Sequence, residues 1–346
     1  MKKEISNLLE RKHIDKAAEQ WDNSKIIKLI DEVENFVYDF QCQGKKRILR
    51  LTHSTHRSEE DIIAELDWIN YLYNNGVKVS KPVLSRNGWF TEVIQVNDSY
   101  FIACVFERAP GDFINEANTN EWNIDFFKNW GRILGRMHTL TKKYDPGHLK
   151  KRRFEWQPDD LIDEAKKYMP TSWHKIIKEI EQLLNRIRKI PKTIDTFGLI
   201  HEDLNPTNFF VKDGEITIFD FDDCCYNGFI SDIAMAIPFY SQMFETNNWE
   251  ERFKDFFYHF IMGYNEENRL DASLFGYLAD YLRLNNMNSV VFSFEIDEKN
   301  RKLYNVWFER VLHFYKNGHN LYKFDFQGFY ETILGVYPSP LQMGEV

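Results

Sequence analysis

Cysteine is scarce in this chain: four among 346 residues, Cys42, Cys104, Cys224 and Cys225. They form no C-x-x-C pair and no zinc-like spacing with histidine. That excludes a disulfide framework and fits a reducing compartment, with the adjacent Cys224-Cys225 read as small buried hydrophobes beside a strand. Long apolar runs are missing too. The longest, Tyr100 to Phe106, has seven residues, against about 20 for a membrane-spanning helix. Near the N-terminus Glu4, Glu10, Arg11, Lys12 and Asp15 leave no room for a signal-peptide core. A cytoplasmic protein with no membrane partner is expected. Nor is there an excess of positive charge: 44 Lys and Arg against 53 Asp and Glu give a net −9, which excludes a nucleic-acid partner and favours a small neutral or cationic one. The sole basic block, Lys150-Lys151-Arg152-Arg153, reads as a solvated loop. No G-x-S-x-G elbow marks a serine nucleophile.

What is present is a core: 43% of residues are hydrophobic and 16% aromatic, and the length suits two domains at about 150 residues each. From Ile26 to Phe106 short apolar segments alternate with turns, at Ile26–Ile30, Phe36–Phe40 and Arg47–Leu51. Asn87-Gly88 then predicts a hairpin between Pro82-Val83-Leu84 and Trp89–Val96, and Asn97-Asp98-Ser99 a turn into Tyr100–Phe106. One helix interrupts these strands. Ser58 and Asp61 form a capping pattern ahead of Ile62, Leu66, Ile69 and Leu72, Asn75-Gly76 stops it, and Glu65 lies within it. After Ala109-Pro110-Gly111 helical spacing takes over, at Ile124–Leu140, Ser172–Ile190 and from Ser231 onward, broken by a hairpin around Asp213-Gly214. The expected fold is α+β and bilobal, with an antiparallel sheet plus one helix over 1–107 and a mostly helical lobe with an embedded hairpin over 108–346. Aromatics such as Trp130, Tyr240, Phe256 and Tyr264 are assigned to packing, and His53, His56 and His138 to packing or the surface.

The chemistry concentrates in two places. His201-Glu202-Asp203-Leu204-Asn205-Pro206-Thr207-Asn208 has the form H-x-D-x-x-x-x-N, and Asp220-Phe221-Asp222-Asp223 follows twelve residues later. If the second hairpin strand runs through Phe221, Asp220 and Asp222 share one face and Asp223 takes the other. Two like charges about 4 Å apart repel by roughly 4 kcal/mol at an effective dielectric near 20, which favours a cation between them. Asn208, Asp220 and Asp222 make an all-oxygen set suited to Mg²⁺ completed by phosphate, so a metal-nucleotide is implied. Asp203, with a reference pKa of about 3.9, reads as a weak base that orients a hydroxyl. Arg50 on the third strand and Glu65 on the helix would form a phosphate-facing pair, its guanidinium clamping oxygens by a fork.

In this order, Arg47-Ile48-Leu49-Arg50-Leu51, Glu65, Phe106-Glu107-Arg108-Ala109-Pro110-Gly111, Leu134-Gly135-Arg136-Met137-His138-Thr139-Leu140, His201 to Asn208, Asp220 to Asp222 and Ser231-Asp232-Ile233-Ala234, the chain resembles the aminoglycoside phosphotransferase and choline kinase superfamily of protein-kinase-like small-molecule kinases. The resemblance covers most of the chain. It implies transfer of the γ-phosphate of ATP, or GTP, to a hydroxyl of an aminoglycoside, amino alcohol, homoserine-like compound or sugar. It further implies Asp203 as catalytic residue, Asn208 and Asp220 as Mg²⁺ ligands with Asp222 accessory, a structural His201, and Asp232 bracing the catalytic loop. Arg50 and Glu65 match the phosphate-binding pair, and the backbone of Glu107 and Ala109 the adenine edge. Two departures stand out. Asp31-Glu32-Val33-Glu34-Asn35 occupies the place of a glycine-rich phosphate loop, and Arg50 that of the usual lysine. Alternatives are a bacterial Ser/Thr protein kinase of the same superfamily, a catalytically silent pseudokinase scaffold and a metal hydrolase.

Overall fold

The structure, a computed structural model, describes residues 5, 7–22, 25–173, 175–237, 242–295, 305–316 and 320–336. Tyr240 lies outside them. A nine-residue helix, α1 (Arg11–Glu19), not anticipated from the sequence, precedes the sheet. The strands are β1 (Lys25–Asp31), β2 (Phe36–Cys42), β3 (Lys45–His53), β4 (Pro82–Val83), β5 (Glu92–Val96) and β6 (Ser99–Glu107), in spatial order β1-β2-β3-β6-β4 with β5 also on β6. All pair antiparallel. β6 is buried through its middle six residues, as a strand between covered faces must be. One face packs Phe36, Phe40, Leu49 and Phe101 against Ile14, Ala17 and Trp21 of the α1 region.

The Asn87-Gly88 hairpin is not formed. Pro82 and Val83 pair with Phe106 and Val105, and Glu92 to Val96 pair with Ala103 to Ser99. Thus β4 and β5 run in the same direction along one edge of β6. The excursion between them is closed locally: Ser85 Oγ accepts from the Asn87 and Trp89 amides, and Ser85 N donates to Trp89 O. The Asn97-Asp98 turn forms as expected, with Val96 opposite Ser99 and Asn97 at φ 53°.

Helix α2 (Glu59–Asn74) starts where the capping pattern puts it, with Ser58 Oγ accepting from Asp61 N and Asp61 returning the bond. Its buried residues Ile62, Leu66, Trp68, Ile69 and Leu72 belong to the same core as the helical part of the chain. The later helices are α3 (Ile124–Thr141), α4 (Pro158–Tyr168), α5 (Lys175–Ile187), α6 (Phe229–Ala236), α7 (Trp249–Glu267), α8 (Ala272–Phe275), α9 (Leu278–Glu295), α10 (Asn305–Lys316) and α11 (Phe326–Val336). No described helix is long and apolar enough to cross a membrane.

α3 and α7 approach backbone to backbone. A Cβ at Gly131 would stand 1.8 Å from Phe260 O, and one at Gly263 1.8 Å from Lys128 O. Gly263→Ala is therefore expected to cost about 3 kcal/mol, the upper range for overpacking, read as a lower midpoint in thermal or urea unfolding; a neutral result would contradict this crossing. Two small sheets support the site. β7 (Phe197–Ile200) pairs with β10 (Cys225–Gly228), a pairing that no turn signal announces in the sequence, and β8 (Phe209–Lys212) pairs with β9 (Glu215–Ile218) as the embedded hairpin. The chain leaving β6 is pinned to that hairpin by Asp112, which bridges Val211. Gly111, at φ 94°, would place a Cβ 2.2 Å from Val211 O, so glycine is required there.

Candidate active site

The His201–Asn208 segment links β7 to β8 and is fixed from below. Fully buried Asp232, near the start of α6, accepts from the amides of His201 (3.2 Å) and Glu202 (2.9 Å) and meets His138 Nε2 at 3.1 Å. His201 is buried between Phe219 O, 3.2 Å from its Nε2, and the Asp203 amide, which donates to its Nδ1. Both histidines carry lowered pKa values through burial; His138, bonded also to the Tyr264 hydroxyl, is a packing residue as expected. Glu202 adopts φ 67°, a conformation that costs a non-glycine residue of order 1 kcal/mol or more and tends to mark functional segments.

Asp203 is held by both carboxylate oxygens. Asn205 Nδ2 donates to Oδ1 at 2.7 Å, and Asn208 Nδ2 donates to Oδ2 at 2.5 Å and to the backbone carbonyl at 2.9 Å. With its amide nitrogen so used, Asn208 has its side-chain oxygen to offer a cation. The reference pKa does not hold for Asp203. Burial, then the charges of Asp223 and Asp220, raise it well above the usual range, against the two asparagine hydrogen bonds.

The strand reading of Asp220 to Asp223 is corrected by the structure. β9 ends at Ile218; Phe219 N then donates to Asn208 O, and Asp220 turns to φ 63°. Alternation along a strand therefore does not apply. Asp220 opens to solvent, while Asp222 is 2% exposed. Asp222 and Asp223 do not diverge: Arg57 Nη2 lies 3.5 Å from Asp222 Oδ2 and donates to Asp223 Oδ1 at 2.8 Å. The protein mass around the cleft, then Asp222, pushes Asp220 up to about 7 against Arg50. Asp222 behaves oppositely. Burial disfavours its charge, but the His56 hydrogen bond, then Arg57 and Arg50, hold it far below the carboxylate range.

Arg50 and Glu65 meet in a fork, Nη1 to Oε1 at 2.8 Å and Nη2 to Oε2 at 2.7 Å, with both side chains buried. The expected fork onto phosphate is thus spent on Glu65; the Arg50 side chain is 5% exposed, with Nη1 3.9 Å from Asp222 Oδ1. Glu107 and Ala109 lie apart from this group. Glu107 pairs with Arg47, three residues along β3 from Arg50, a spacing of about 10 Å. Its amide donates to Lys81 O, so its carbonyl is the group it can turn to a ligand.

Several contributors escaped the sequence reading. His56 is no packing or surface histidine: its Nε2 lies 2.7 Å from Asp222 Oδ2. Arg153 is not solvated but 1% exposed. Glu34, from the acidic loop in place of the glycines, comes close enough to His56 and Asp222 for the three to share one ion; Asp223, then burial, Asp222 and Asp220 raise its pKa against Arg57. The usable signal was position: His56 and Arg57 directly precede the cap of the helix that carries Glu65.

The donor set fits a metal-nucleotide. Asp222 Oδ1, Arg50 Nε and Arg57 Nε are buried with no hydrogen-bond partner among the described residues. Such groups are costly unless something binds them: the oxygen suits a cation, the guanidinium nitrogens suit phosphate. Burial first, and then the neighbouring carboxylates, raise the values at Asp203, Asp220 and Asp223, a crowding of acidic groups that a cation would relieve.

Comparison with known proteins agrees. Residues 26–271 match the model of the phosphotransferase enzyme family. An amicoumacin kinase of Bacillus subtilis (strain 168) is 34% identical over 264 residues, 75% of this chain and 77% of that protein. The solved amicoumacin kinase hAmiN, in complex with AMP-PNP, Ca²⁺ and Ami, superposes with a TM-score of 0.83 at 29% identity, over 95% of this chain and 99% of that one. A microcompartment-associated aminopropanol kinase shares the fold, with a TM-score of 0.70 at 20% identity over 88% and 94%. The chain belongs to the phosphotransferase enzyme family, whose members phosphorylate hydroxyl groups, and is similar to small-molecule kinases of the amicoumacin kinase kind.

Proposed function

We propose that this protein transfers the γ-phosphoryl group of ATP to a hydroxyl of a small molecule carrying an amine, with amicoumacin as the first acceptor to test. The observation that carries this reading is the Asp203 carboxylate, oriented by Asn205 and Asn208 beside Asp220. In this reading residues 1–107 hold the nucleotide, 108–346 supply the catalytic loop and acceptor side, and the enzyme works in the cytoplasm.

Asp203 orients the acceptor hydroxyl and takes its proton. Its two asparagine bonds fix the direction of the free lone pairs, so orientation of the hydroxyl is its larger contribution. Mg²⁺ is assigned to Asn208 and Asp220, two hard oxygen donors. Asp222 is at most accessory, since His56, Arg57 and Arg50 already balance it. When bound, the metal neutralises phosphate oxygens as charge shifts in a loose transition state. Arg50, held by Glu65, is assigned to the phosphates, and the Glu107 carbonyl and Ala109 amide meet the adenine edge.

The test is a product search. The protein is incubated with Mg-ATP or Mg-GTP and amicoumacin A, aminopropanol, choline, homoserine, an aminoglycoside, a sugar or a generic protein, and phosphoester is detected by phosphorus NMR. Product on an amine-bearing small molecule, lost on chelation of the metal, is the expected result. Product only on protein would favour the protein-kinase alternative; no product together with no calorimetric binding of Mg-AMP-PNP would sink the reading in favour of a scaffold.

A further inference from the structure

One buried guanidinium outside the family motifs bridges the loop after β9 and the first turn of α2. Arg153 is 1% exposed, although it ends a run of four basic residues. It spends its nitrogens on three backbone carbonyls: Nε on Cys224 at 2.7 Å, Nη2 on Asp222 at 2.5 Å and Nη1 on Asp61 at 3.1 Å. The first two belong to the loop after β9. The third belongs to the first turn of α2, one helical turn before Glu65.

The segment bearing Arg153 is itself fixed to the helical part. Glu155 bridges Tyr226 of β10, Trp156 N donates to Tyr226 O, and Tyr226 N donates to Phe154 O. Its neighbours grip α2 from the same side. Lys151 Nζ pairs with Asp61 Oδ1 at 2.7 Å, the Tyr144 hydroxyl donates to Asp67 Oδ2 at 2.7 Å, and His148 Nε2 lies 3.0 Å from Asp67 Oδ1. Residues 144–156 therefore form a strap across the outer side of α2, with Arg153 as its inward pin.

We propose that Arg153 is a positioning residue that locks α2 to the Asp222 loop, so that Arg50, Glu65 and Asp222 stand in their nucleotide-binding arrangement before any nucleotide arrives. The physical reason is specific to arginine: its planar fork holds separate nitrogens at fixed spacing against three carbonyls, whereas a lysine's three donors radiate from one nitrogen on a flexible stem. Removing it takes one donor from each of three carbonyls on the two elements that face Arg50, leaving Asp222 O with Arg57 Nη2 at 3.2 Å and Asp61 O with its helix bond. Their junction is then left to His56 and Arg57 at the head of α2 and to the Trp68–Phe221 ring contact.

This inference rests on the kinase reading for what the locked arrangement does, and its test has an arm that does not. Hydrogen exchange is followed on the full chain without ligand, as wild type, Arg153→Ala and Arg153→Lys. Faster exchange confined to peptides covering 59–74 and 219–225, with α3 and α7 unchanged, is expected for Arg153→Ala, and a smaller effect for Arg153→Lys. Calorimetry with Mg-AMP-PNP forms the second arm. Arg153→Ala should weaken binding by about tenfold, equivalent to ~1.4 kcal/mol, Glu65→Gln should weaken it as well, and the double variant should be no weaker than the worse single one. Exchange that is unchanged or spread evenly over the chain, or losses that multiply, would overturn the proposal. If Arg153→Ala does not fold, Arg153→Lys carries both arms. A wild type that binds no AMP-PNP would sink the kinase reading alone, and the exchange arm would still decide the strap.

Discussion

Asp203→Asn should lower kcat by about 10³-fold, within the range for loss of a positioned acid–base group, while the Kd for Mg-AMP-PNP stays close to that of the wild type. On the proposed roles the two effects separate, since Asp203 is assigned to the acceptor and Arg50, Asp220 and Asn208 to the phosphate side. The variant keeps size and shape. It gives up one accepting oxygen, so either Asn205 or Asn208 faces an amide NH₂ in place of a carboxylate oxygen. That costs about 1 kcal/mol of stability, too little to explain a thousandfold loss by unfolding. Steady-state kinetics beside a thermal melt reads both quantities. A kcat loss below tenfold would place the base elsewhere, with Glu202 the next carboxylate to test: it is pushed up to about 8 by burial and by Asp232, and held by Asn227 and Ser231.

Arg50→Met should be the most destabilising change at the site. Glu65 is fully buried and Asp222 nearly so; without the guanidinium Glu65 keeps a buried charge that nothing in its fork balances. Breaking one partner of a buried pair costs about 3–5 kcal/mol, whereas replacing both by apolar groups is often neutral. Arg50→Met with Glu65→Leu is thus expected to recover most of the lost stability in urea unfolding, but not nucleotide binding by calorimetry. A single variant within about 1 kcal/mol of wild type would contradict the buried pair. A double variant that binds AMP-PNP normally would contradict its role toward phosphate.

The legible parts of the site are those whose geometry is local. Ser58 and Asp61 define the start of α2 within one turn, so the helix and the place of Glu65 on it follow from spacing. The His201–Asn208 loop is equally compact, because Asn205 and Asn208 reach back two and five residues to Asp203. Contacts made at long range were not legible. His56 and Asp222 are 166 residues apart in the chain, and Arg153 and Asp222 are 69; no periodicity connects them. The same limit explains the strand beyond Ile218. Apolar residues continue through Phe219 and Phe221, and the hairpin pairing itself runs one rung further with Phe219 N bonding Asn208 O, but the strand breaks off where Asp220 turns left-handed. Asn87-Gly88 misled for a related reason. A turn does form there, with Gly88 at φ 81°, but β6 already offers both flanking segments a partner, and pairing with it outcompetes a hairpin.

The most direct measurement is a single-turnover transfer of labelled γ-phosphate from Mg-ATP to amicoumacin A, run on wild type and on Asp203→Asn and Asp220→Asn. The expected result is a labelled phosphoester with wild type, a slow burst with intact nucleotide binding for Asp203→Asn, and loss of metal-dependent nucleotide binding for Asp220→Asn. Transfer by all three at similar rates would contradict the assignment of this cleft as the phosphoryl-transfer site.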